Sequence, residues 1–481
     1  MERAAIESYL HMFQLEESLD EAINEVVERR PANPYMSIAS FMESRCVAEI
    51  LDVKISFCLA GRNLSGVQAT ISTNISSFSA TTSDLTYSSN TSDGDLVREY
   101  AVLQEKARDC LKGLDPRKVR SVDEAIFQIP GIEKSIVLAL SMASCRAGAR
   151  HRGLPLYRFL AELAGTSPAI PVPVVTVLSR AVAGSIVVAQ NITVTPTTPS
   201  FIDGAFESVL KASLSVQKYL DNNKTACTVS DCGCPCLPSS YSSSLADSIK
   251  LVKLALIDEP VEGGLKLGID MRSGDVSSID DDLLQYRFDS GDSSPVVQGD
   301  DLAETVVGLW RDHELISVED PLASTDASNL RLLKEKILST TADLKEGELA
   351  YNVAGVGGEL GCILQIVADR GIAKAEQIAV LAQDMAFNSV NLRLRKIGSV
   401  SAALALARAC QQAQIAVIAG CDEGAPETND TFLADLAVAL GVGQFAGGGM
   451  GSCEFSAKYQ RIIDISHEDD SIPYKGRNFR C

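Results

Sequence analysis

The sequence predicts an α/β protein, and the stretch from Phe387 to Gly451 carries most of that prediction. Residues 388–399 form a β-like run closed by a glycine, and an Ala/Leu-rich segment from Val400 to Gln412 then reads as helix. Ile415–Gly420 is a short, fully apolar strand that ends in a polar loop from Cys421 to Asn429. A second helix, Thr431–Leu440, leads into a Gly-rich loop that ends at Gly451. Strand, loop and helix in regular alternation indicate parallel βα units.

At 481 residues the chain is too long for one ordinary core, so two or three domains are expected. Its 46% hydrophobic and 22% charged residues are globular values. A formal net charge of -20 argues against nucleic acid or an anionic membrane as the main partner. The sequence has no apolar run of bilayer length and no signal-peptide pattern at Met1-Glu-Arg-Ala-Ala-Ile-Glu. The thirteen cysteines therefore read as free thiols in a reducing cytosol.

Residues 1–46 form a module of their own. Ile6, Tyr9, Leu10, Phe13, Leu19, Ile23, Val26 and Val27 recur at roughly helical spacing up to Arg30-Pro31. Proline disfavours helix in the residue before it, so that helix stops there. Pro34 opens a second helix with an apolar face of Tyr35, Ile38, Ala39, Phe41 and Met42. Two short helices cannot bury such faces alone. The pattern Tyr9-Leu10, Arg30-Pro-Ala-Asn-Pro-Tyr and Phe41-Met resembles the dimerisation/docking domain of type II kinase regulatory subunits. That resemblance implies a homodimer whose groove takes an amphipathic helix from an anchoring protein, through Leu10, Phe13, Leu19, Ile38 and Phe41. The competing reading is a helical extension packed on its own body.

Residues 47–165 read as an α+β domain. Ala48–Leu59 and Val67–Ile75 are expected strands, and the Ser/Thr-rich stretch from Ser72 to Asp95 is expected as a long loop. Helices are expected over Leu96–Gly113 and Ile132–Arg152.

Residues 166–481 carry a family resemblance. Lys396-Ile-Gly-Ser-Val, Glu427-Thr-Asn-Asp-Thr-Phe-Leu-Ala-Asp-Leu, Gly443-Gln and Ala457-Lys-Tyr-Gln are similar in order and spacing to the enolase barrel. The resemblance implies an α/β TIM-like barrel preceded by the α+β domain and the helical hairpin. Asp270, Glu319 and Asp369 each close an apolar run, and acids at the C-terminal ends of barrel strands sit on the catalytic face. By resemblance they are the family's metal ligands, with magnesium as the cofactor, and all-oxygen ligation suits that ion.

The remaining family positions depart from the pattern. Enolases take a proton from the carbon beside a carboxylate with a lysine base, then expel hydroxide. Here the base position holds Arg393, which stays protonated and accepts no proton. Lys396 lies close by, but strand alternation puts it off the equivalent position. The family's general-acid glutamate is matched by Cys232 and a second glutamate by Asn191. The phosphate-gripping loop is matched by Cys421, Asp422 and Glu423, whose two carboxylates oppose an anion. The lysine after Gly-Gln is matched by Ala446. The glycine-hinged lid pattern is missing from residues 71–80.

These departures together predict a catalytically degenerate scaffold. Flagellar enolase-like proteins pair a similar N-terminal segment with a degenerate body, which implies the axoneme and its central apparatus. The alternative is a working phosphopyruvate hydratase delivered to the flagellum. Cys227, Cys232, Cys234 and Cys236 form a dense cluster whose spacing departs from zinc knuckles and reads as buried thiols. The acidic stretch from Asp280 to Asp300 reads as a solvated loop.

Overall fold

The computed structural model describes residues 2–61, 64–83, 93–182, 185–238, 244–257, 264–280, 283–288, 296–342, 364–384, 387–421, 427–476 and 479. Three helices open the chain, Glu2–Met12, Leu15–Arg29 and Pro34–Arg45. The expected first helix is thus split at Gln14, whose φ of 47° and ψ of 40° are left-handed. The turn after it follows from its sequence. Arg30 is left-handed and donates its N–H to Val26, and Asn33 caps the last helix by accepting from Met36 N at 3.2 Å. Tyr9, Phe13, Leu19, Ile23, Val27, Tyr35 and Met36 are exposed along these helices. Leu10, Ile38 and Phe41 are half-buried. The third helix meets the body through an ion pair between Glu43 and Arg150.

A three-stranded antiparallel sheet follows, Ile50–Ala60, Leu64–Thr73 and Ser77–Ser83 in that order. Val67, Ala69 and Ile71 alternate into its buried face, against the helix Lys134–His151. The third strand falls in the stretch expected as loop. Its hydroxyls make cross-strand pairs, Ser72 with Ser77 and Thr70 with Ser79, each at 2.8 Å. Composition pointed to loop, but Ser and Thr serve equally well on the wet face of a ladder. Residues 84–92 of that stretch lie outside the described residues.

Eight strands then close into a barrel. Val172–Val182 pairs antiparallel with Ser185–Pro196, which pairs antiparallel with Leu265–Asp270. From there Ser317–Glu319, Gln365–Ala368, Ser389–Leu392, Ala416–Gly420 and Gln444–Ala446 run parallel. Gln444–Ala446 pairs back with the first strand. Small residues of the Val400–Gln412 helix, Ala403 among them, are buried where it lies on the sheet. In the acidic stretch Leu283–Tyr286 and Val297–Gln298 form part of a small sheet with Ser277–Asp280.

The Glu427–Leu436 motif proves to be a joint between sheet and barrel. Arg146 grips Asp430 with two bonds of 2.8 Å and donates to Ser79 O at 2.7 Å. Thr81 N also donates to Asp430, at 2.9 Å. Burial would raise the Asp430 carboxyl, but Arg146 holds it below the usual range. Lys458, from the Ala457-Lys motif, is buried and donates to Thr428 O at 2.6 Å. Arg146→Ala leaves Asp430 buried and partly unpaired, so a loss of about 3 kcal/mol is expected in urea unfolding. An unchanged midpoint would show that the joint contributes nothing to stability.

Candidate functional site

The strand ends assemble one rim. Asp270 and Glu319 are the last residues of adjacent strands and stand opposite each other in register. Asp369 follows Gln365–Ala368, Arg393 follows Ser389–Leu392, and Cys421 follows Ala416–Gly420. Asn191 pairs across to Asp270, and Ala446 ends its strand opposite Gly420. Side chains from several strands therefore meet at the C-terminal face, where barrels keep their chemistry.

At the centre of that rim is the Arg393 guanidinium, which is buried. Its Nε donates to Asp369 Oδ1 at 2.5 Å and its Nη2 to Glu319 Oε1 at 3.0 Å, while Nη1 donates to Cys421 O. Asn391 Nδ2 donates to the same Glu319 oxygen at 3.0 Å. Lys396 Nζ reaches Asp369 Oδ1 at 3.0 Å, and Arg370 Nε lies 3.3 Å from Asp369 Oδ2. Asp270 accepts from Arg272 N at 3.0 Å. Behind them Asp320 accepts the N–H groups of Asp369 and Arg370, each at 3.0 Å.

The carboxyl groups feel one another strongly. Burial, followed by the charges of Asp270 and Asp369, pushes Glu319 up to about 7 against the pull of Arg393. Burial also raises Asp320 well above its ordinary value, with Asp369, Asp270 and Glu319 adding to the shift. Burial works the same way on Asp369, but Arg393, Lys396 and Arg370 overcome it and hold that carboxyl well below its usual range. A shared cluster of acids close enough to repel is thus neutralised by cations of the chain.

Next to the acids lies a sulfur and hydroxyl cluster. Ser179 donates to Asn191 Oδ1 at 2.6 Å, and Cys232 Sγ stands 3.9 Å from that oxygen. Asn191 and Cys232, matched in sequence to separate family acids, are brought together here. Of the dense cysteines, Cys232, Cys234 and Cys236 are buried, whereas Cys227 is exposed, contrary to expectation.

The sequence sets Lys396 aside because the run up to Gly398 reads as extended. The strand stops at Leu392, and a helical turn, Leu394–Ile397, ends at left-handed Gly398. Helical spacing swings Lys396 back towards Asp369. Asp320, Arg370 and Asn391 were also overlooked. The adjacent Asp369-Arg370 and Glu319-Asp320 pairs were the available signal, since buried strand-end charges need partners. Asp422 and Glu423 lie outside the described residues. Ala446 O accepts from Cys421 N at 3.0 Å, a backbone tie between the two strand ends.

An eight-strand barrel with acids and a buried cation at one rim can be set beside known proteins. The family description "Enolase, C-terminal TIM barrel domain" matches residues 167–341 and 351–481. The chain belongs to the enolase family. It is similar to "Cytosolic enolase 3" of Arabidopsis thaliana, 25% identical over 99% of this chain and 99% of that one. That alignment takes in almost the whole of both chains, the N-terminal helices included. "Enolase 2" of Hevea brasiliensis is 25% identical over 76% of this chain and 79% of its own. "Enolase" of Mastigamoeba balamuthi is 28% identical over 74% and 79%. The enolase family generally uses magnesium, which by resemblance Asp270, Glu319 and Asp369 would hold. As arranged, they do not fit the ion. Glu319 and Asp369 are both spent on Arg393, and the described residues hold no group of three metal-ligating side chains placed to bind a metal. No helix among the described residues is long and apolar enough to cross a membrane.

Proposed function

We propose that this enolase-family chain is catalytically degenerate and serves as a structural scaffold docked through its N-terminal helices. The observation that carries this reading is the Arg393 guanidinium between Glu319 and Asp369. It stands at the base position, accepts no proton, and occupies the carboxylates that would hold a metal. The positive charge an enolate would need is already neutralised within the chain. A hydratase assay of the purified full chain with 2-phosphoglycerate and magnesium is the test. Turnover that disappears in Glu319→Ala overturns the reading.

One observation favours the second reading, a working phosphopyruvate hydratase. Lys396 puts an amine 3.0 Å from Asp369, so the rim has a lysine after all. Against it, that amine is engaged as a counter-charge to the carboxylate, and the partner glutamates are absent. The same assay separates the two readings.

The occupant we infer for the N-terminal face is a second copy of this chain, pairing through Phe13, Leu19 and their neighbours. Exposed Tyr9, Phe13, Leu19, Ile23 and Val27 leave an apolar surface that so small a helical unit cannot bury internally. The amphipathic helix of an anchoring protein would then lie across the paired helices. The resemblance to flagellar enolase-like proteins makes the axoneme the proposed location, and a tagged chain excluded from cilia overturns it. Replacing Phe13 and Ile38 with glutamate is expected to convert a dimer to a monomer in sedimentation, with the barrel still folded. A double variant that keeps its mass but melts much earlier would show that the segment belongs to the body.

A further inference from the structure

Cys232 and Cys234 flank Gly233, whose φ of 76° is the left-handed conformation that glycine takes without strain. The turn is fastened on both sides. Ser230 N donates to Cys234 O at 2.9 Å, Gly449 N to Cys232 O at 2.6 Å, and Gly451 N to Gly233 O at 2.9 Å. This fixed backbone aims both thiols at one point, with the sulfurs 3.6 Å apart. Two hydroxyls frame the pair. Ser179 Oγ lies 3.4 and 3.1 Å from the sulfurs of Cys232 and Cys234, and Ser230 Oγ lies 3.0 and 3.2 Å from them. Both thiols are buried beside Asn191 at the barrel rim.

We propose that Cys232 and Cys234 are a dithiol switch, closed to a disulfide by a small peroxide and reopened by thiol reductants. The sulfurs need to approach only to about 2 Å, a movement that side-chain rotation supplies. The Cys232 thiolate attacks one peroxide oxygen, breaks the O–O bond and leaves as a sulfenic acid with hydroxide as the other product. Cys234 then attacks the sulfenic sulfur. The S–O bond breaks, hydroxide leaves, and the thiol proton of Cys234 converts it to water. Over both steps two thiols lose two electrons and two protons, and one peroxide becomes two waters.

The two sulfurs are suited to different roles. The hydrogen bond from Cys234, with those from Ser179 and Ser230, holds the Cys232 thiol below its ordinary value against the opposing effect of burial. Burial raises Cys234 well above the ordinary thiol range. Cys232 is the attacking thiolate and Cys234 the resolving thiol. A zinc site fits less well, since the described residues bring no third protein ligand to the two sulfurs.

The test treats the full chain with hydrogen peroxide, then denatures and alkylates it and sequences its peptides by mass. The expected result is a peptide lighter by two hydrogens, with Cys232 and Cys234 unlabelled and Cys227 and Cys236 labelled. Dithiothreitol should restore both labels. Cys145 and Cys410, whose thiols burial pushes up, should stay labelled at the same dose. In Cys234→Ser the sulfenic acid should persist on Cys232 and be captured by dimedone. Full labelling of both cysteines at doses that oxidise exposed Cys46 and Cys110 overturns the proposal. So does a bridge to Cys227 or Cys236, and the wild-type measurement decides even if the variant misfolds.

Discussion

Supplied with 2-phosphoglycerate and magnesium, the purified protein is expected to turn over at least about 10⁴-fold more slowly than an intact enolase, at roughly 10² for each of two missing proton-transfer groups. By resemblance the missing groups are the base, at Arg393, and the acid, at Cys232, which lies beside Asn191. Arg393→Lys is expected to leave the rate unchanged. Residues that act as a unit contribute little when one of them is restored alone. The introduced amine would also sit between Glu319 and Asp369, which would keep it charged. Turnover within roughly a thousandth of an ordinary enolase, abolished by Glu319→Ala, would sink the degenerate reading, because a loss that small is compatible with a single displaced group.

The second large effect is one of stability. Arg393→Ala removes the fork that joins Glu319, Asp369 and the Cys421 carbonyl, and leaves buried carboxylates facing one another. Breaking a buried pair in this way costs about 3–5 kcal/mol. The variant should therefore melt well below the parent. Magnesium should then recover part of the loss, since a cation that binds only the folded state stabilises it by mass action. The parent should respond little, because its own guanidinium already supplies the counter-charge. The measurement is Tm across millimolar magnesium for both proteins. A parent that magnesium stabilises strongly, with a variant that it does not, would show that Arg393 assists metal binding instead of replacing it.

Much of this molecule was legible in the order of its residues. The helix expected from Val400 to Gln412 spans those residues in the structure, because Ser399 caps it through Ala402 N and its apolar spacing is helical. The apolar runs ending at Asp270, Glu319 and Asp369 are strands that end at one rim, because parallel strands in a closed barrel all finish on the same face. The identity of residue 393 alone excludes a neutral base at that position, since guanidinium basicity holds in any fold. What the sequence left open was contact. A run read as extended to Gly398 turns helical after Leu392, and that one change of period brings Lys396 to Asp369. The serine-rich third strand shows the same limit, because hydroxyls satisfied across a ladder look like loop until the partner strand is in place. Arg393 could be known to be charged, but not which acids it would neutralise. Glu319 and Asp369 lie 74 and 24 residues away in the chain. Only closure of the barrel sets their separation, and charge pairing falls off with distance in space, whatever the distance along the chain.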